Sequence, residues 1–273
     1  MTIAQALRQA KTLGLDHLEA QTLMLHALGR DLHDRAWLLL HDEDQPSEAA
    51  LVLFHALVQR RLRHEPIAYL TGAQAFHGLN LAIDHRVLVP RPDTETLVDW
   101  ALALDLAQAR VLDLGTGSGA VALALKHARP AWTVSAVDIS PEALALAQHN
   151  AQTLGLSVHF RLGHWLKGIQ GQFELIVSNP PYIAEDDPHL QALSSEPRQA
   201  LVSGADGLDD IRQIVSQAPS HLVAGGWLLL EHGFDQAPAC QALLLQAGFV
   251  QVHSRKDLAG MVRCTGGQWP EVK

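Results

Sequence analysis

The stretch RVLDLGTGSGAVALAL, residues 110–125, joins two different structural periods through three glycines. RVLDL is a short apolar run, the pattern of a strand buried on both faces. The segment from Gly119 onward, GAVALALKHAR, reads as a helix. Gly115, Gly117 and Gly119 fall between the two, where a strand passing into a helix needs a tight turn and a backbone that a ligand can approach closely. Working outward, apolar runs recur at TVSAVDI (133–139), SVHFRL (157–162), FELIVSN (173–179) and GWLLLEHG (226–233), with helical stretches such as PEALALAQHNAQTL (141–154) between them. Strand–helix alternation with apolar strands predicts an α/β domain with a doubly wound, mostly parallel sheet. FVQVHSRKD (249–257) and MVRCTGG (261–267) follow without a clear helix between them, which predicts an antiparallel pair at one edge and seven strands in all.

The residues before this region are of another kind. Thr2 can cap a helix whose face carries Ile3, Ala6, Leu7 and Ala10. A second helix is expected from about Asp16 to Gly29, a third over DRAWLLL (34–40), and a fourth over SEAALVLFHALVQRRLR (47–63). In the fourth, Ser47 is the cap, Leu51, Phe54, Val58 and Leu62 form an inner stripe, and Arg60, Arg61 and Arg63 read as a solvated end. Residues 73–91 change character around Gly78 and suggest a β-hairpin or linker. The expected organisation is a helical domain over 1–72, a hairpin or linker over 73–91, and the α/β domain over 92–273.

Composition narrows the possible activities. The chain has 273 residues, 48% apolar and 18% charged, enough to build a core in a large and a small domain. Its net charge is −9, and residues 91–273 carry 12 Lys/Arg against 19 Asp/Glu. An acidic half opposes phosphate backbones, which are held by Lys and Arg, so stable nucleic-acid binding is not expected. Two cysteines, Cys240 and Cys264, are too few for a disulfide framework or a zinc cluster, and the 16 histidines show no metal-ligand spacing. The start lacks a basic and then apolar leader, and no apolar run reaches the roughly 18 residues of a membrane span. A soluble, monomeric protein of a reducing cytoplasm, without a metal, is expected.

The glycine loop by itself is ambiguous, since Gly115-x-Gly117-x-x-Ala120 also fits the dinucleotide fingerprint in its Gly/Ala form. Asp138 ends the second strand, where a carboxylate meets ribose hydroxyls in nicotinamide and S-adenosylmethionine enzymes alike. It is also an ordinary place for a structural Asp. Three alternating glycines after Leu-Asp favour S-adenosylmethionine, with Asp113 either facing the cofactor's ammonium group or capping nearby backbone. No nucleotide-triphosphate loop, nucleophile elbow or zinc-protease helix is present.

Asn179-Pro180-Pro181-Tyr182 resolves the ambiguity. Two prolines directly after FELIVSN are a poor way to continue a strand, and the carboxyl end of that strand is expected beside the glycine loop. A planar NH2 group is a weak nucleophile because its lone pair is delocalised. The Asn179 side-chain oxygen and the Pro180 carbonyl can each accept one of its N–H groups. Pro181 removes a competing donor, and Tyr182 offers a flat face for stacking. Acceptors so arranged stabilise charge developing on nitrogen; losing one such dipole costs about 10²–10³ in rate.

With these residues in hand, VLDLGTGSG, AVDIS and SNPPYI resemble the class I S-adenosylmethionine methyltransferases that modify planar amino groups. EPIAYLTG (65–72), VLVPRPDTE (87–95), SNPPYIAEDDPHL (178–190), EPRQALVSGADGLDDIRQI (196–214) and LLLEHG (228–233) together resemble the HemK/PrmC family. That resemblance covers nearly the whole chain. It implies N5-methylation of the glutamine in the Gly-Gly-Gln motif of peptide-chain release factors, with S-adenosylhomocysteine as product and the helical domain as the docking module. By matching position, it implies that Gly115, Thr116, Gly117, Ser118 and Gly119 hold the methionine part of the cofactor and Asp138 its ribose. Trp165 would pack near the adenine, and Asn179 would serve both cofactor and substrate. Pro180, Pro181 and Tyr182 would hold the glutamine amide. His164 stands where family members often carry an acidic residue, and PRPDTE is expected to open the helix beneath the cofactor; whether Arg91 or Glu95 touches ligand stays open. Three other functions share parts of this pattern: a ribosomal-protein glutamine methyltransferase, a DNA or RNA adenine-N6 or cytosine-N4 methyltransferase, and a nicotinamide oxidoreductase. The last leaves Asn-Pro-Pro-Tyr without a purpose. Gly266-Gly267-Gln268 repeats the target tripeptide within the chain itself, and a turn at a strand end is its expected place.

Overall fold

The computed structural model describes residues 1–271 and divides into two compact units, the first ending at Ala73 and the second beginning at Gln74. The first unit contains α1 (Ile3–Thr12), α2 (His17–Ala27), α3 (Arg35–Leu40), α4 (Glu48–Arg61) and the short α5 (Ile67–Thr71). Thr2 caps α1 in a reciprocal box with Gln5, and Asp16 and Ser47 cap α2 and α4 through their side-chain oxygens. Ile3, Leu7, Leu23, Met24, Phe54 and Val58 meet in its core. The inner face of α4 is wider than the expected stripe: Ala50, Phe54, Leu57 and Val58 are buried, and Leu51 and Leu62 are half-buried against the same core. The arginine-rich end of α4 is more ordered than a solvated run, because Arg60 pairs with Glu65 and Arg61 with Glu19 on α2.

A hairpin, β1 (Ala73–Phe76) and β2 (Leu79–Ala82), follows α5, and all but its first residue belongs to the second unit. His77 and Gly78 between them both have positive φ, as a two-residue hairpin turn demands. Then follow α6 (Glu95–Leu102), β3 (Arg110–Leu114), α7 (Ala120–Ala128), β4 (Thr133–Asp138), α8 (Pro141–Leu154), β5 (His159–Leu162) and β6 (Phe173–Ser178). The chain ends with α9 (Asp209–Gln217), β7 (Leu222–Glu231), α10 (Ala237–Gln246), β8 (Val250–Lys256) and β9 (Val262–Gln268). The seven-stranded sheet runs β5-β4-β3-β6-β7-β9-β8. Its first five strands are parallel, β9 is antiparallel to β7, and β8 is antiparallel to β9 at the edge.

This order positions the site. After β3 the chain crosses toward β4, whereas β6 lies on the opposite side of β3, so the two directions part above the carboxyl ends of β3 and β6. Open α/β sheets bind ligands at such a switch point. There the buried Ser178 hydroxyl donates to the Leu114 carbonyl at 2.8 Å, joining the two strands just before one enters the glycine loop and the other enters Asn-Pro-Pro-Tyr.

Candidate active site

A cavity of about 320 Å3 opens at this switch point. Gly115, Thr116, Gly117, Ser118, Asp138 and Trp165 belong to its wall, as do Asn179 and Pro181. Gly119, Pro180 and Tyr182 are neighbours in sequence of these wall residues but do not themselves line it.

The loop is built around its glycines. Gly115 has φ +70°, and a Cβ there would sit 3.1 Å from Cζ3 of the Trp165 indole. Gly119 serves packing: its Cβ would meet the Leu123 side chain at 3.0 Å and Cβ of Ala147 on α8 at 3.2 Å. Asp138 holds the loop by accepting the Gly117 N–H at 2.8 Å, and its other oxygen accepts the Ser140 N–H ahead of α8. Burial raises the Asp138 pKa against these bonds. Asp113 is more deeply engaged. It accepts from the Thr116 hydroxyl at 2.6 Å and from the Ala122 N–H in the first turn of α7, while burial pushes its carboxyl up to about 7. Asp113 therefore caps nearby backbone while also lining the cavity.

Trp165 adopts φ +48° and donates its indole N–H to Asp210 at 3.0 Å. Asp210 comes from the start of α9 and lies in the cavity wall beside His164. A carboxylate thus reaches this wall from a distant element, although position 164 carries none.

At the opposite side, Asn179 donates its Nδ2–H to the Thr94 hydroxyl at 3.1 Å. That bond orients the amide and leaves Oδ1 without a partner among the described residues, as is the Pro180 carbonyl. The exit from β6 is held by the segment 201–207. The Tyr182 and Ile183 N–H groups donate to the Leu201 carbonyl, and Ser203 N–H donates back to Ile183. The Tyr182 carbonyl accepts from Gln236 Nε2 at 3.0 Å, and a Cβ on Gly207 would lie 2.2 Å from that same carbonyl oxygen. The Tyr182 hydroxyl donates to Glu231 at the end of β7, at 3.3 Å, and burial and that charge raise its pKa far above the ordinary value.

Arg91 and Glu95 do not line the cavity. Arg91 pairs with the buried Glu196, which also accepts the Val89 N–H at 3.0 Å, and Glu95 accepts the His77 N–H at 2.8 Å. The Glu196 contacts hold the segment that precedes α6, and Glu95 ties the first residue of α6 to the hairpin turn. Gly266-Gly267-Gln268 lies in β9 between two strands and not in a turn. The Gln268 amide donates to the Gly225 carbonyl and accepts from Gln251, so this tripeptide is structural. Among the described residues, no group of three or more His, Cys, Asp or Glu is placed to hold a metal ion, and no helix is long and apolar enough to cross a membrane.

Thr94, Glu231, Gln236 and Asp210 were not among the expected site residues. EPRQALVSGADGLDDIRQI contains Asp210, LLLEHG contains Glu231 and VLVPRPDTE contains Thr94, yet nothing in their local pattern distinguishes these positions from neighbouring polar residues.

A seven-stranded sheet with this order, a glycine loop after its first parallel strand, an acidic residue ending the next and Asn-Pro-Pro-Tyr after the fourth define a class I S-adenosylmethionine-dependent methyltransferase. A family model of the methyltransferase small domain matches residues 93–207, and one of the PrmC N-terminal domain matches residues 2–72. The chain is 49% identical over 260 residues to the release factor glutamine methyltransferase of Bordetella pertussis, covering 93% of this chain and 95% of that one. It is 42% identical over 272 residues to the release factor glutamine methyltransferase of Escherichia coli K12, covering 98% and 97%. The chain belongs to the release factor glutamine methyltransferase family. Among solved structures, a methyltransferase from Pyrococcus furiosus shares the fold with a TM-score of 0.58 at 20% identity, over 78% of this chain and 99% of that one.

Proposed function

We propose that this enzyme methylates the side-chain amide nitrogen, N5, of the glutamine in the Gly-Gly-Gln motif of peptide-chain release factors. S-adenosylmethionine supplies the electrophilic sulfonium methyl group and becomes S-adenosylhomocysteine. The observation that carries the reading is the unpartnered acceptor pair, Asn179 Oδ1 and the Pro180 carbonyl, beside a cavity whose wall is a glycine loop. The side-chain-free face of Gly115, the Asp138 carboxylate and the Trp165 ring suit the methionine, ribose and adenine parts of the cofactor respectively.

In this reading, Asn179 Oδ1 and the Pro180 carbonyl each take one N–H of the glutamine amide. Holding both hydrogens aims the nitrogen and stabilises the positive charge that grows on it. The Tyr182 ring supports the amide plane. No strong base is required before transfer, because the proton becomes acidic only when the nitrogen is methylated, and it then leaves to solvent. The first unit serves as the docking module for the release factor. The enzyme acts as a cytoplasmic monomer on a protein substrate, consistent with the acidic balance of residues 91–273, which opposes a phosphate backbone.

The test uses S-adenosylmethionine with a labelled methyl group. The substrates are a release factor, its Gln-to-Ala variant in the Gly-Gly-Gln loop, ribosomal proteins and duplex DNA. Label is expected only in the intact release factor, with at least a 100-fold loss for Asn179→Ala. Label in ribosomal proteins or DNA, with none in the release factor, would overturn the assignment.

A further inference from the structure

Thr94, just ahead of α6, Asn179 and Tyr182, after β6, and Glu231, at the end of β7, form two hydrogen-bonded pairs, the second of which ends at a buried carboxyl. Asn179 donates to Thr94 at 3.1 Å and Tyr182 donates to Glu231 Oε1 at 3.3 Å. Glu231 is 1% exposed and Thr94 3%. Oε2 of Glu231 is buried with no hydrogen-bond partner. The Thr94 hydroxyl accepts from Asn179 and so has its own proton left to give. It acts on the Glu231 carboxyl, lowering a pKa that burial pushes up to about 7.

We propose that Glu231 is a positioning residue for methyl transfer: its buried carboxylate accepts from the Thr94 and Tyr182 hydroxyls and, through Thr94, sets the Asn179 amide with Oδ1 turned toward the substrate nitrogen. The inference rests on the amide-methylation reading above and deepens it. The two orientations of an Asn amide have the same shape and differ only in what they donate and accept. An ionised carboxylate has acceptors alone, so both hydroxyls must donate to it. Thr94 then presents only lone pairs to Asn179, and only Nδ2–H can meet them. A glutamine at 231 offers donors as well. It allows Thr94 to turn its proton toward Asn179, which then answers with Oδ1 and directs NH2 at the substrate amide. The other titratable groups acting on Glu231 are Asp93, Arg263 and, across the β7–β9 pair, Cys264. Arg263 is already paired with Asp93 at 3.0 Å and Asp257 at 3.2 Å.

The experiment measures methyl transfer to a release factor, and S-adenosylhomocysteine affinity by calorimetry, on full-length wild type, Glu231→Gln, Glu231→Asp and Thr94→Val. Glu231→Gln and Thr94→Val are expected to lower kcat by about 10- to 100-fold, the usual cost of misdirecting a positioned group. KM and cofactor-product affinity should stay within about threefold of wild type. Glu231→Asp should recover part of the loss. Wild-type kcat should rise between about pH 6 and 8 as the buried carboxyl ionises, and Glu231→Gln should lack that rise. Should Glu231→Gln fail to fold, Thr94→Val decides. Wild-type kcat in both variants, or loss of cofactor-product binding in parallel with kcat, would overturn the inference while leaving the methylation reading intact. A wild-type enzyme inert on the release factor would overturn that reading and this inference with it.

Discussion

Gly115 lacks a side chain for two independent reasons: its φ of +70° disfavours any L side chain, and the Trp165 indole occupies the space where a Cβ would go. Gly115→Ala is therefore expected to push the indole into the cavity and weaken S-adenosylhomocysteine binding about 10-fold or more, measured by calorimetry. An affinity within twofold of wild type would exclude a cofactor cradle at this position. Gly207 works differently, because the obstacle there is the backbone oxygen of Tyr182 at 2.2 Å and not a movable side chain. Gly207→Ala should displace the exit of β6. Methyl-transfer kcat should fall while cofactor-product affinity is kept. The two glycines thus separate cofactor binding from substrate-amide placement, provided each variant stays folded by circular dichroism.

Among the elements, α8 does more than cover the sheet. Asn150, buried in its third turn, accepts the Ala82 N–H at 2.8 Å and donates to the carbonyls of Ala82 at 3.1 Å and Ser118 at 2.9 Å. It ties β2 and the glycine loop to one helix. Asn150→Ala removes every one of these partners from backbone groups that burial keeps from water. A loss of roughly 1–3 kcal/mol is expected, read as a lower urea midpoint with an unchanged slope. On the other side of the cavity, the buried Glu196 ties the strap around Val89 and Arg91 to the loop that follows Asn-Pro-Pro-Tyr. Arg86, Val87, Leu88 and Pro90 on that strap line the cavity, so the cofactor wall and the substrate-side loop share one buried carboxylate.

The whole molecule has a pH dependence set by its two deepest carboxyls. Burial pushes both Asp113 and Glu231 up to about 7. Such groups bind more protons folded than unfolded, so their contribution is fully present below the unfolded value near 4 and is lost as pH rises through 7. Ion-paired carboxyls such as Glu65 and Asp84 are shifted downward and act in the opposite sense, but only in the acid range. Stability is therefore expected to fall between pH 5 and 8. Glu231→Gln should remove about 3 kcal/mol of that slope, from a shift of 4.5 to about 7. Denaturation at pH 5, 6.5 and 8 measures it; parallel curves for wild type and variant would refute it.

The strand–glycine–helix unit, Asp138 and the proline exit of β6 were legible because each follows from rules acting over a few residues. A glycine tolerates positive φ, a proline ends a ladder, and apolar period separates strand from helix. The doubly wound, mostly parallel sheet with its antiparallel edge pair followed from the same alternation, whereas the spatial order of its strands did not. Thr94, Asp210, Glu231 and Gln236 were not legible, because they are ordinary polar residues until folding gives them partners. Thr94 meets Asn179 across 85 positions, Trp165 meets Asp210 across 45, and Tyr182 meets Glu231 across 49. Parallel pairing of β6 with β7 brings the carboxyl ends of those strands side by side, and Glu231 at the end of β7 is buried there. Local backbone chemistry thus chose where the site would be. Long-range packing, by burying Glu231 and leaving one of its oxygens without a partner, decided which groups orient it.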